Sequence, residues 1–126
     1  MRPLALFLSL MLAMPAWASC VQLGGRSFCA PPGGSAVLHQ GQAYCGAGAC
    51  TADAFGNLFC SPFPGGDVIR ANGSFYAGPG FCLLGPDGSA HCAGMPGGQC
   101  VIEAGGEVKC PGGSVAVPAV RPPLCQ

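Results

Sequence analysis

The side chains best placed to do chemistry in this sequence are its ten cysteines. Thiols brought close together either oxidise to disulfides or, as thiolates, hold a soft metal ion. Spacing separates the two outcomes. Cys20 and Cys29 enclose eight residues, and Cys50–Cys60, Cys82–Cys92 and Cys100–Cys110 each enclose nine. Such intervals suit the two rungs of a hairpin, and the sequence has no Cys-x-x-Cys or Cys-x-Cys of the kind short metal and redox motifs use. The rival chemistry is thiolate binding of zinc or copper, for which Cys45 and Cys50 form the nearest pair outside these intervals.

Other reactive groups are few. His39 and His91 could ligate a metal or act as bases, but they fall in different kinds of segment and read as strand residues on a solvent face. Glu103 and Glu107 flank a turn, where both carboxylates stay solvated and neither gains the raised pKa that acid catalysis needs. The serines sit mostly in turns without a Gly-x-Ser-x-Gly elbow. Asp87-Gly88 is turn chemistry rather than a calcium loop, and the Gly-Gly pairs follow proline instead of opening a phosphate-binding helix. The expectation is that the protein is not an enzyme and carries no metal or cofactor.

The elements that must position the cysteines are β-hairpins. Between Cys20 and Cys29 the centre is Gly24-Gly25, a two-residue loop suited to a primed turn. The nine-residue intervals centre on Ala54-Phe55-Gly56, Pro86-Asp87-Gly88 and Ala104-Gly105-Gly106, each with glycine third, where a three-residue loop needs a left-handed residue. Counting outward places each cysteine pair at a non-hydrogen-bonded rung, where the strands approach most closely. We term these four hairpins clasps. By loop entropy each contributes about 2.5–3 kcal/mol.

Pro32-Gly33-Gly34, Pro64-Gly65-Gly66, Pro96-Gly97-Gly98 and Pro111-Gly112-Gly113 punctuate the clasps. After the first two corners comes a second hairpin, or arm: residues 35–44 around Gln40-Gly41, and residues 67–76 around Asn72-Gly73. Asn-Gly between alternating strands is a strong hairpin signal. Two full repeats of 32 residues follow, 32–63 and 64–95, then a truncated repeat 96–110 and a degenerate tail 111–126 rich in Val and Pro. Cys45 and Cys125 are the two exceptions to the pattern, and their pairing ties the tail back to the first repeat. The fold class is therefore all-β, a disulfide-rich repeat of hairpins with little or no helix, arranged as a solenoid-like stack or a small sandwich.

Residues 1–18 read as a secretory signal: a basic start at Arg2, an apolar run, then Pro15-Ala16-Trp17-Ala18 before a cleavage point at Ser19. Residues 19–126 form a single domain. A lipoprotein anchored through Cys20 is the alternative, but it leaves an odd cysteine. The expected location is secreted or periplasmic, with no membrane span after cleavage. Only 8% of residues are charged and the chain is formally neutral at pH 7. Dispersed Arg26, Arg70, Lys109 and Arg121 cannot form the basic stripe nucleic acid requires, while near-neutrality leaves self-association possible. The remaining functions are a structural or binding module for a protein or cell-surface matrix, and a secreted inhibitor or toxin using one braced loop. Phe55, at a loop apex, is the best isolated contact residue.

Overall fold

Turn geometry builds this chain, because few of its residues could drive folding by burial. The computed structural model describes residues 19–126, so the signal-peptide expectation over residues 1–18 lies outside the described residues. Two strands, β1 (Cys20–Leu23) and β2 (Arg26–Cys29), join through Gly24 and Gly25 at φ 61° and 80°. The arms are β3 (Ser35–His39) with β4 (Gln42–Gly46) and β7 (Asp67–Ala71) with β8 (Ser74–Gly78). Their two-residue loops also hold both centres left-handed, Gln40 at 52° with Gly41 at 80°, and Asn72 at 53° with Gly73 at 80°.

The other clasps are β5 (Cys50–Ala52) with β6 (Leu58–Cys60), β9 (Cys82–Leu84) with β10 (Ala90–Cys92), and β11 (Val101–Ile102) with β12 (Val108–Lys109). All three close with one hydrogen-bond pattern. Asp53 N–H donates to Asn57 O, Gly85 N–H to Ser89 O and Glu103 N–H to Glu107 O, at 2.8–2.9 Å. The third loop residue is left-handed in each: Gly56, Gly88 and Gly106 at φ 85–86°. Loop length and one glycine thus set the register that puts Cys50 opposite Cys60 and Cys82 opposite Cys92.

The sheets stay small. Among the described residues there are five two-stranded sheets and one of three strands, and no helix. Clasp β1–β2 packs on the following arm β3–β4, β5 on β7, and arm β7–β8 on clasp β9–β10, so the main contacts join neighbours along the chain. Among the described residues the largest sheet has only three strands and units pack on their neighbours along the chain, so the architecture is a stack of hairpins rather than a sandwich.

Residues 114–125 bind the stack lengthwise. They run back past the units in reverse order: Ser114 bridges Ala93, Val117 of β13 (Val117–Pro118) pairs with Ala77, Val120 bridges Cys60 and Leu124 bridges Tyr44. We call this segment the strap. The tail expected to be degenerate thus touches four of the six described hairpins.

The interior is made of small groups. Its buried residues include Ala30, Ala36, Ala43, Ala71, Ala77, Ala93, Cys60 and Cys92, with Leu58 the one larger aliphatic side chain. Disulfide sulfur does much of the filling that Leu or Ile does elsewhere. A Cβ on Gly46 would sit 2.7 Å from Cys50 Sγ and 2.8 Å from Cys60 Sγ, closer than real contacts allow, so glycine is required where the arm crosses the clasp.

Candidate functional site

The structure joins all ten cysteines in pairs: Cys20–Cys29, Cys50–Cys60, Cys82–Cys92, Cys100–Cys110 and Cys45–Cys125. The clasp Cα atoms lie 3.9–4.1 Å apart, the close approach of a non-hydrogen-bonded rung. No cysteine is free, so in this oxidation state no thiolate remains for zinc or copper. Among the described residues no group of three His, Cys, Asp or Glu side chains converges either.

One loop stands out as a presented surface. Phe55 is 89% exposed at the tip of clasp β5–β6; it does not fold back onto its own hairpin. The backbone beneath it is fixed from two directions. Asp53 Oδ1 accepts the N–H groups of Phe55 (2.9 Å) and Asn57 (2.8 Å), and Asn57 Nδ2 donates to Asp53 Oδ2 at 3.1 Å. These bonds favour the carboxylate, and the bond from the Asn57 N–H is the largest cause of a pKa held below the ordinary aspartate value. From the other side, the arm turn reaches across: His39 Nε2 bonds Gly56 O at 2.7 Å and Gln40 Nε2 donates to the same oxygen at 3.2 Å. His39, expected on a solvent face, is instead a strut between arm and tip. An adjoining cleft of about 290 Å³ is lined by His39, Tyr44, Leu58 and Arg121 among others.

The second constellation centres on His91. Asp87 can only accept, so the Ser89 hydroxyl donates to Asp87 Oδ1 at 2.6 Å. The Ser89 oxygen then accepts from His91 Nε2–H (3.1 Å), which leaves Nδ1 of a neutral ring to accept the Ser114 hydroxyl at 2.8 Å. Asp87 is held below its ordinary pKa, first by the Ser89 side-chain bond. The order Asp–Ser–His–Ser superficially resembles a nucleophile relay, yet Asp87 and Ser114 are exposed. Water screens a charge developing there, which weakens the electrostatic stabilisation on which such catalysis depends. What the relay does mechanically is pin the start of the strap to clasp β9–β10.

His39 and His91 are not brought together. Glu103 and Glu107 do face each other across their turn through the backbone, but the Glu107 carboxylate turns to Lys109 Nζ at 3.5 Å, with both side chains exposed. Reading the sequence alone missed the His39–Gly56 strut and the His91–Ser114 pin. The available signal was weak: His39 and His91 each stand where the other repeat has a different residue type, Ala71 and Phe59. No protein-family model, curated protein or solved structure matches the chain.

Proposed function

We propose that this protein is an exported, non-catalytic binding module that presents the Phe55 loop to a protein partner at the cell surface or in its matrix. The observation that carries the reading is a large aromatic ring held out in solvent on a loop that is braced by a disulfide and five hydrogen bonds. Ordering entropy is a major cost of binding, and a loop already fixed loses little more. Buried aromatic anchors supply most of the energy of protein interfaces. An inhibitor working through one braced loop would use the same tip.

Five disulfides belong to an oxidising environment, extracellular or periplasmic, and cleavage before Ser19 is the export route we favour. Cys20 is disulfide-bonded to Cys29, which an acylated Cys20 anchor would prevent. The test is binding of labelled, fully oxidised protein to intact cells and matrix of the producing organism. Phe55→Ala is expected to weaken binding about 30-fold, equivalent to about 2 kcal/mol for an aromatic anchor, with no loss of thermal stability. Asp87→Ala, at the matching tip of the next repeat, should bind as the parent does. Equal binding by Phe55→Ala and the parent overturns the reading.

A further inference from the structure

The second cysteine of each of the first three clasps occupies the same place in its hairpin. Antiparallel pairing alternates, so at this rung the N–H and C=O point away from the hairpin partner and form an edge. At Cys60 the strap takes that edge. Cys60 N–H donates to Val120 O at 2.6 Å, and Val120 N–H donates to Cys60 O at 2.9 Å. At Cys92 the carbonyl accepts Val115 N–H at 2.8 Å. Under this cover Cys60 is 1% exposed and Cys92 is fully buried.

Cys29 has the same outward pair of groups and none of the cover. Among the described residues no strap residue bonds to it, and it is exposed. The last strap rung lies on β4, where Cys125 N–H donates to Ala43 O at 2.9 Å. A cleft of about 490 Å³ there is lined by Cys29, Pro31, Ala47, Pro123, Leu124 and Gln126, together with the Cys45–Cys125 pair. The track that the strap follows across both arms and clasps β5–β6 and β9–β10 therefore continues past clasp β1–β2, unfilled by any described residue.

We propose that the β2 edge at Cys29 is a docking site for an extended, uncharged, apolar segment of a partner protein, added as a strand in line with the strap. Continuity with the strap's own interface selects the conformation, because the groups on offer are one N–H and one C=O at strand spacing. The lining selects the chemistry. Its side chains are apolar or, at Gln126, an uncharged amide, so apolar side chains gain more by entering it than charged ones do. Strap residues 114–120, Ser-Val-Ala-Val-Pro-Ala-Val, show the type of segment that fits such edges. The site is separate from the Phe55 tip and does not depend on it.

The experiment uses isotopically labelled protein with all five disulfides intact and, as probe, a blocked peptide with the sequence of residues 114–120. Binding should shift the amide signals of Ser27, Cys29 and Ala47, and slow hydrogen exchange at the Cys29 amide about tenfold at saturation. Ala47→Glu, with its disulfide masses unchanged, should abolish both effects, whereas Phe55→Ala should leave them intact. Three results overturn the proposal. One is no change at Cys29 up to millimolar peptide. Another is a Cys29 amide as protected in the free protein as that of Cys60. The third is protection that grows with protein concentration alone, which would give the edge to a second copy of the chain.

Discussion

The two full repeats share a backbone and almost nothing else. Ser61 N–H to Ala49 O and Ala93 N–H to Phe81 O are one bond, 32 residues apart. So are Ala49 N–H to Gly66 O and Phe81 N–H to Gly98 O, and the corner bonds Gly66 to Phe63 and Gly98 to Met95. Yet the side chains at matching positions do different work. At the tip, Phe55 faces Asp87 across the offset; beside the clasp cysteine, Phe59 corresponds to His91. Phe59 stacks on Phe75 at 5.1 Å, with Arg121 of the strap 5.7 Å from its ring. His91 takes Ser114 of the strap instead. In the second repeat Asp67 Oδ2 accepts the N–H of Cys82 at 2.9 Å, a link that Ser35 does not supply to Cys50. Glycine, proline and disulfides hold the frame, which frees the remaining positions to diverge.

The sharpest difference is how each repeat holds the strap. At residue 77 the strap pairs by backbone, Val117 against Ala77; at residue 45, the matching position, it is bonded covalently through Cys125. Replacing Cys45 and Cys125 together by Ala is expected to give the largest effect. The entropy of an 80-residue closure is about 4.5 kcal/mol, and the three clasps inside it shorten the loop only enough to bring this to about 4 kcal/mol. Hydrogen exchange should speed up at the amides of positions 45 and 125, whose N–H groups bond Pro123 O and Ala43 O in the parent, and stay slow at Ala77. An unchanged melting temperature would break the comparison, since the two repeats would then hold the strap equally well.

A smaller effect is expected from exchanging the arm turns. Gln40 and Asn72 both sit left-handed, at φ 52° and 53°, a conformation Asn tolerates better than Gln. Asn72→Gln should destabilise by about 0.5–1 kcal/mol, measured by urea denaturation. Gln40→Asn should gain less than that, because it gives up the bond from Gln40 Nε2 to Gly56 O. If the two substitutions change stability equally and oppositely, the strut from Gln40 to the Phe55 loop contributes nothing.

The smallest effect is in pH. Asp53 and Asp87 both have folded-state pKa values below the ordinary 3.8. Their contribution is complete above the unfolded value and is lost as pH falls through the folded one, so it should fade as pH drops below the ordinary aspartate range. Asp53→Asn and Asp87→Asn should each flatten the acid limb of the melting temperature against pH. A steeper limb for either variant would contradict the direction of the shifts.

The hairpins were legible in the sequence because loop length and one glycine determine register. Gly56, Gly88 and Gly106 at the third loop position set the alignment of every nine-residue clasp before any packing is known. The stack was half legible. The 32-residue period showed repetition, but whether hairpins line up or fold over depends on packing between units. The strap's path was not legible at all beyond the exceptional Cys45 and Cys125, because backbone bonds such as Cys60 with Val120 leave no mark on residue type. The Phe55 tip was visible as a residue; its rigidity was not, since His39 meets Gly56 only when arm and clasp are already adjacent.

The strap also imposes an order on assembly. Each clasp can oxidise as soon as its own short span of chain has been made and meets an oxidant, with little search. Cys45 cannot: its partner Cys125 is the last of the ten cysteines to be made. Through most of synthesis Cys45 is therefore the odd thiol, surrounded by clasps still forming and open to mispairing with Cys50 nearby. Oxidative folding of this chain should accordingly be sped by a disulfide isomerase, and Cys45 is the thiol on which that enzyme would be caught.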